Sequence, residues 1–155
     1  MAKQHHYKVA VSWQDDNGTS GYASYSRDHN IVIAGKPVIE ASSDPAFRGN
    51  PAKYNPEELL LASVSNCHML WYLHFCAVNG IIVLNYVDNA EGIMEEHADG
   101  SGRFTGVTLY PVVTVSSKEM IGKAEELHAE ANKFCFIANS LNFAVTHQPR
   151  ILVKE

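Results

Sequence analysis

Residues 55–76 read NPEELLLASVSNCHMLWYLHFC, and how this stretch folds decides the rest. Asn55 is a good N-cap, Pro56 suits the first helical position, and acidic Glu57 and Glu58 favour the first turn. The stretch therefore opens a long helix, which should run to about Asn79, where Gly80 is placed as a C-terminal stop. Between Leu59 and Val78 apolar residues occupy nearly every face, so the helix is expected to be central and enclosed. It also carries two of the three cysteines, Cys67 and Cys76.

Outward from this helix the chain alternates in short pieces. Strand-like runs at 7–13, 21–27, 31–33 and 37–41 are separated by turn chemistry in Asp-Asp-Asn-Gly at 15–18 and Ala-Gly-Lys-Pro at 34–37. A polar, Pro-containing loop fills 42–54. After the helix come two longer strand runs, 81–91 and 103–115, joined around HADGSG. Ser116-x-x-Glu119 reads as a capping box for a second helix over roughly 118–133. Met120, Ala124, Leu127, Ala131 and Phe134 form its apolar stripe by three-and-four spacing. The segment CFIANSL and a last strand at 143–153 complete an α+β plan of strands packed around a buried helix.

The composition narrows the function classes. With 155 residues, 46% of them hydrophobic and 19% charged, the chain is expected to form a single domain, 1–155, with a substantial core. A formal charge of −5 and scattered Lys and Arg argue against a nucleic-acid or acidic-membrane partner. No run of apolar residues is long enough to span a bilayer, and the start MAKQHHYKVAVSW lacks a signal-peptide core. Three cysteines do not make a secreted disulfide scaffold, so a cytoplasmic location is expected.

A cysteine among apolar neighbours is by default inert packing. Cys67 and Cys76 lie about 180° apart around the helix and ~13 Å apart along it, whereas a disulfide needs Cα atoms within about 7 Å. Those two cannot bridge within one helix. Cys135 follows the second helix, in a segment able to fold back on the first. Cys67–Cys135 is thus the better candidate for a redox pair, with Cys76 left as packing. A mid-helix thiol gains nothing from the helix dipole and burial raises its pKa, so reactivity requires a cation beside it. Arg27 and Arg48 are both available, and spacing does not choose between them.

At these residues the sequence resembles the OsmC/Ohr family of thiol-dependent hydroperoxide reductases, more the OsmC-like branch than Ohr proper. NPEELLLASVSNCHM looks like the family's Asn-Pro-Glu helix opening, with Glu57 ten residues before the first redox cysteine. That puts Cys67 in the peroxidatic position. KFCFIANSL resembles the second motif and makes Cys135 the resolving cysteine. Arg27, in YSRDHN, takes the place of the catalytic arginine. The chain departs from the Ohr pattern at Phe136, where Ohr-type proteins have Pro, and at His68, directly after Cys67.

The resemblance implies an OsmC-like fold, antiparallel sheets wrapped around a long central helix, in an intertwined homodimer with active sites near the interface. It implies that Cys67 thiolate attacks ROOH, forming a sulfenate that Cys135 converts to a disulfide in oxidative-stress defence. Arg27 would lower the Cys67 pKa and hold the peroxide, and Glu57 would orient the guanidinium. An external dithiol, for which lipoylated proteins are the expected donors, would reduce the disulfide; no cofactor or metal is implied. Ten helical residues separate Glu57 from Cys67 by ~15 Å, so the Glu57 acting at a given Cys67 is expected to come from the partner subunit.

Three rivals stand beside this reading. Eight histidines invite a metal site, yet none has a ligand spacing such as His-x-x-x-His. Hydrolase chemistry at Ser63, Ser65 or Ser140 lacks a Gly-x-Ser-x-Gly elbow. The serious rival is a non-enzymatic dimer binding a small apolar ligand or partner. Leu70, Trp71, Phe134, Phe136 and Ile137 would line its groove or, as the default for each, fill the core.

Overall fold

A computed structural model describes residues 2–154. The chain divides after Leu59 into two compact units.

In the first unit, β1 (Ala10–Ser12), β2 (His29–Val32) and β3 (Ile39–Ala41) form an antiparallel sheet in that order. The run expected at 21–27 is not a strand but a series of turns. Its backbone finds partners locally: Ser24 donates to the Gly21 carbonyl at 2.9 Å, and the Ser26 amide donates to Asp15 at 3.1 Å. Side chains that satisfy the backbone locally leave nothing to pair with a ladder. A 3-10 turn at Pro45–Phe47 follows, capped by the Asp44 carboxylate accepting from the Ala46 amide at 2.7 Å. Gly49 closes this turn so tightly that a Cβ there would lie 1.6 Å from the Ser43 carbonyl oxygen, so only glycine fits.

Helix α1 (Pro56–Val78) starts where the sequence placed it. The Asn55 side-chain oxygen accepts from the Glu58 amide at 2.8 Å, and the Glu58 carboxylate accepts from the Asn55 amide at 3.2 Å. This is a reciprocal capping box with Asn in place of Ser or Thr. At the far end Gly80 turns at φ 71°, and the Ile81 amide reaches back to the Cys76 carbonyl at 2.9 Å.

The second unit holds two mixed sheets. The expected runs 81–91 and 103–115 each break once, giving β4 (Val83–Asp88), β5 (Glu91–Glu96), β6 (Gly102–Leu109) and β7 (Pro111–Val115). The breaks coincide because Asp88 accepts the Tyr110 amide at 2.7 Å, taking it out of the ladder, while Pro111 has no amide to give. The hydroxyl of Ser65 on α1 donates to the other Asp88 oxygen. The last run also breaks, at Gln148-Pro149, into β8 (Ala144–His147) and β9 (Arg150–Val153). One sheet has the order β4-β7-β9 and the other β5-β6-β8. The pairs β4–β7 and β5–β6 are antiparallel, whereas β8 and β9 join in parallel.

Helix α2 (Ile121–Phe134) is preceded by a 3-10 turn at Lys118–Met120. The expected box between Ser116 and Glu119 does not form. Ser116 turns its hydroxyl to the Met120 sulfur at 3.4 Å, and the Ser117 hydroxyl holds the Glu119 carboxyl below its ordinary range instead. Ala124, Leu127 and Ala131 of the expected stripe are buried; Phe134 at its end is 40% exposed.

The core of this unit lies between α1, α2 and the sheet of β4, β7 and β9, where Tyr72 and Cys76 meet Val113, Val115, Ala124, Leu127 and Ala131. Within one chain α1 is not enclosed as expected. Its buried residues Val64, His68, Tyr72 and Cys76 repeat every four positions, and the stripe Glu58, Ala62, Asn66, Leu70 and His74 faces solvent. A helix packed on one side buries one stripe whatever its composition.

Candidate functional site

Two of the expected site residues lie near each other in the second unit. Cys67 lies half-buried in mid-α1, and Cys135, fully buried, follows the last turn of α2. Both are free thiols. The two thiols are near neighbours, close enough for Cys67 to act on the titration of Cys135, and Cys135 Sγ accepts from the Ala138 amide at 3.4 Å. Burial first, and the Cys67 sulfur second, push the Cys135 thiol up to about 11. At neutral pH Cys135 is therefore a protonated thiol. Cys76 is buried beside Tyr72 in the apolar core, and burial pushes its thiol up as well. That is the inert setting expected of it.

Arg27 and Glu57 meet in the first unit. They line one cavity of about 360 Å³ together with Val11, Trp13, Tyr25 and Phe47. The Arg27 guanidinium folds back on its own loop, donating to the Tyr25 carbonyl at 2.5 Å and the Tyr22 carbonyl at 2.6 Å. Its Cζ sits 3.7 Å from the Tyr25 ring centroid, a cation–π contact. Trp13 steadies the same loop by donating to the Ser26 carbonyl at 2.7 Å. No Arg27–Glu57 ion pair is present among the described residues; Glu57 Oε2 is buried without a hydrogen-bond partner. Arg48, in the left-handed conformation at φ 66°, is exposed beyond the 3-10 turn and does not line this cavity. The cavity separates the two arginines where sequence spacing did not.

The aromatic residues around the second cysteine are more open than expected. Trp71, one turn beyond Cys67, has ring centroids of Phe75, Phe134 and Phe136 within 5.6 Å. Yet Phe136 is 67% and Leu70 60% exposed, so neither fills the core within this chain. Ile137 does pack inward, against Val64, Val107 and Leu109.

Sequence reasoning treated the histidines singly and missed a cluster. His68 Nε2 and His128 Nδ1 lie 3.0 Å apart, both rings buried, and the ring of His147 is 5.6 Å from His68 and 6.0 Å from His128. Burial lowers the pKa of His68 to about 4 and that of His128 to about 3, with neighbouring imidazoles adding to each shift. The available signal was His68 standing on the four-residue stripe with Val64 and Tyr72. Nothing in the sequence announced its partner sixty residues away. Among the described residues no group of three or more His, Cys, Asp or Glu is arranged to hold a metal ion, and no helix is long and apolar enough to cross a membrane.

Comparison with known proteins follows the same lines. The family model described as OsmC-like protein matches residues 49–150. Among solved structures, an OsmC-like protein of unknown function from Vibrio cholerae is 32% identical, with 94% of this chain and 99% of that chain covered and a TM-score of 0.83. An organic hydroperoxide resistance protein from Legionella pneumophila is 17% identical over 96% of this chain and 99% of that one, with a TM-score of 0.68. The organic hydroperoxide resistance protein OhrB of Bacillus subtilis is 21% identical over 97% and 98%, with a TM-score of 0.62. The last two likenesses concern the fold alone. A comparison with curated proteins found no match.

Proposed function

Because this chain belongs to the OsmC-like protein family, we propose that it is a thiol-dependent peroxidase that reduces organic hydroperoxides. The observation that carries the reading is the nearness of half-exposed Cys67 to buried Cys135. Cys67 as thiolate attacks the peroxide oxygen, the O–O bond breaks, and the alkoxide takes up the proton that the thiol released on ionising, leaving as alcohol. The Cys135 sulfur then attacks the Cys67 sulfenic acid and water departs. In sum, two thiols and ROOH give a disulfide, ROH and water. A dithiol, in this family reading a lipoylated protein, returns the pair to thiols by exchange.

Arg27 and Glu57 complete the proposal. In an intertwined homodimer they serve the Cys67 of a second copy, Arg27 as the cation that activates the thiolate and Glu57 as the carboxylate that orients it. Support comes from their shared cavity and from the unpartnered Glu57 oxygen, which has a hydrogen-bond acceptor to spare for a guanidinium. The solvent-facing stripe of α1, with Leu70 and the nearby Phe136, supplies apolar surface for such a dimer to cover. We place the whole chain in one functional domain, since the family match at 49–150 begins within the first compact unit and runs through most of the second.

The apolar cavity of the first unit favours a second reading, a non-enzymatic module that binds a small apolar ligand. Thiol titration separates the two. A peroxidase loses two free thiols per chain for about one equivalent of cumene hydroperoxide; unchanged thiols favour the binding module.

A further inference from the structure

The buried imidazole pair lies outside the thiol chemistry, yet it joins the same two helices. The rings of His68 and His128 are 6° from coplanar with centroids 5.3 Å apart, so the nitrogens face each other edge to edge in one plane. A hydrogen bond of that geometry needs one proton between two ring nitrogens, so one ring donates and the other accepts. The outer nitrogens, His68 Nδ1 and His128 Nε2, are buried and have no other partner among the described residues. Each ring's single hydrogen bond is thus to the other. Tyr72, one turn beyond His68, stacks on the face of His128 with centroids 3.8 Å apart and planes 12° apart. Helix α1 therefore grips His128 at its edge and on its face.

The position of this grip matters for the thiols. Cys67 and His68 are consecutive, so their contacts fall on one turn of α1. Their partners, His128 and Cys135, stand seven residues apart, ~10 Å along α2. The imidazole hydrogen bond and the nearness of the two thiols, made from one turn to points that far apart, fix the angle at which α2 crosses α1. The apolar contacts of Tyr72 and Cys76 with Ala124, Leu127 and Ala131 supply area but little direction. The imidazole hydrogen bond is directional.

We propose that His68 and His128 are positioning residues of the thiol centre: their hydrogen bond sets the crossing of α2 on α1 and thereby holds Cys135 against Cys67. The inference rests on the pairing of these two cysteines in the reading above, not on the identity of their oxidant. The reaction it assists is the closure of two thiols to a disulfide, two electrons and two protons passing to an added oxidant.

The test is the Cys67–Cys135 thiol–disulfide equilibrium of the full-length protein in a buffer of oxidised and reduced dithiothreitol, read by alkylation and peptide mass. A single His68→Leu change leaves an orphaned nitrogen on His128 and threatens folding, so the informative variant is the double His68→Leu/His128→Leu, which removes both polar partners together. It should shift the equilibrium about tenfold toward the dithiol, the size of one hydrogen-bond coupling. His68→Gln, whose amide reaches the position of Nε2, should stay within about threefold of the wild-type value. A double variant that is folded by circular dichroism and bridges as readily as wild type overturns the proposal, as does a wild-type protein whose Cys67 and Cys135 never bridge. Failure of the peroxidase reading shows itself separately, as a disulfide that forms in this buffer but not with cumene hydroperoxide.

Discussion

Cys135 is fully buried and lies beside Cys67, which stays half open. In the proposed reaction this asymmetry gives the two thiols different tasks. The open one would meet an oxidant first, and the closed one, held protonated by burial, would react only with what the first has become. Substitution should reveal that order. Cys67→Ser should lose all thiol consumption by cumene hydroperoxide, Cys76→Ser should keep it, and Cys135→Ser should leave a Cys67 sulfenic acid that dimedone traps. Mass spectrometry of each variant after peroxide reads the result; dimedone on Cys135 in wild-type protein would reverse the assignment.

The raised Cys135 pKa has a consequence for stability. A thiol whose folded pKa lies above its unfolded value near 9 favours the folded chain while it is protonated. That contribution is complete below pH 9 and is lost as pH rises toward about 11. The urea midpoint of wild-type protein should therefore fall across that window, and Cys135→Ala should flatten the fall.

The histidines act at the other end of the scale. With folded pKa values of about 4 and about 3 against 6.5 for a free imidazole, His68 and His128 bind fewer protons folded than unfolded. Their contribution is present above pH 6.5 and lost as pH falls toward 4. The melting temperature should drop over that range more steeply in wild-type protein than in the double His68→Leu/His128→Leu variant. Equal slopes in the two proteins would show that His68 and His128 do not account for the drop.

Arg27 should tolerate little change. Its fork donates to two carbonyls and lies over a tyrosine ring, a set that a lysine ammonium cannot reproduce. Arg27→Lys and Glu57→Gln should each lower kcat/KM for cumene hydroperoxide by about tenfold or more, whereas Arg48→Lys should stay within about twofold. Steady-state kinetics with dihydrolipoamide as reductant measures all three; a larger loss at Arg48 would transfer the role to it.

Asp88 is the structural counterpart to these site residues. One carboxylate accepts from the Ser65 hydroxyl on α1 and from the Tyr110 amide between β6 and β7. Asp88→Ala leaves that amide without its partner and should cost about 1–3 kcal/mol, read as a lower urea midpoint at unchanged m-value.

The extent and ends of α1 were legible in the chain itself, because Asn55, Pro56, Glu58 and Gly80 act on backbone groups within a few residues of themselves. The α+β class followed from the spacing of apolar residues, and the geometric barrier between Cys67 and Cys76 followed from helical rise alone. Strand ends at Asp88, Tyr110 and Gln148 were not legible, since they depend on a carboxylate and a carbonyl that arrive from elsewhere in the chain. Neither was the failure of the box at Ser116, where the hydroxyl found a methionine sulfur instead.

The same division holds for the candidate site. The sequence by itself led to the expectation of which thiols could pair and of a cation near one of them, because those requirements are set by covalent geometry and by the chemistry of a buried sulfur. Only tertiary structure decided that Cys135 lies beside Cys67, that Arg27 rather than Arg48 shares a cavity with Glu57, and that His68 hydrogen-bonds to His128. Those are contacts across long stretches of chain, and their existence depends on how two helices cross and how a loop closes, which no local pattern of residues encodes.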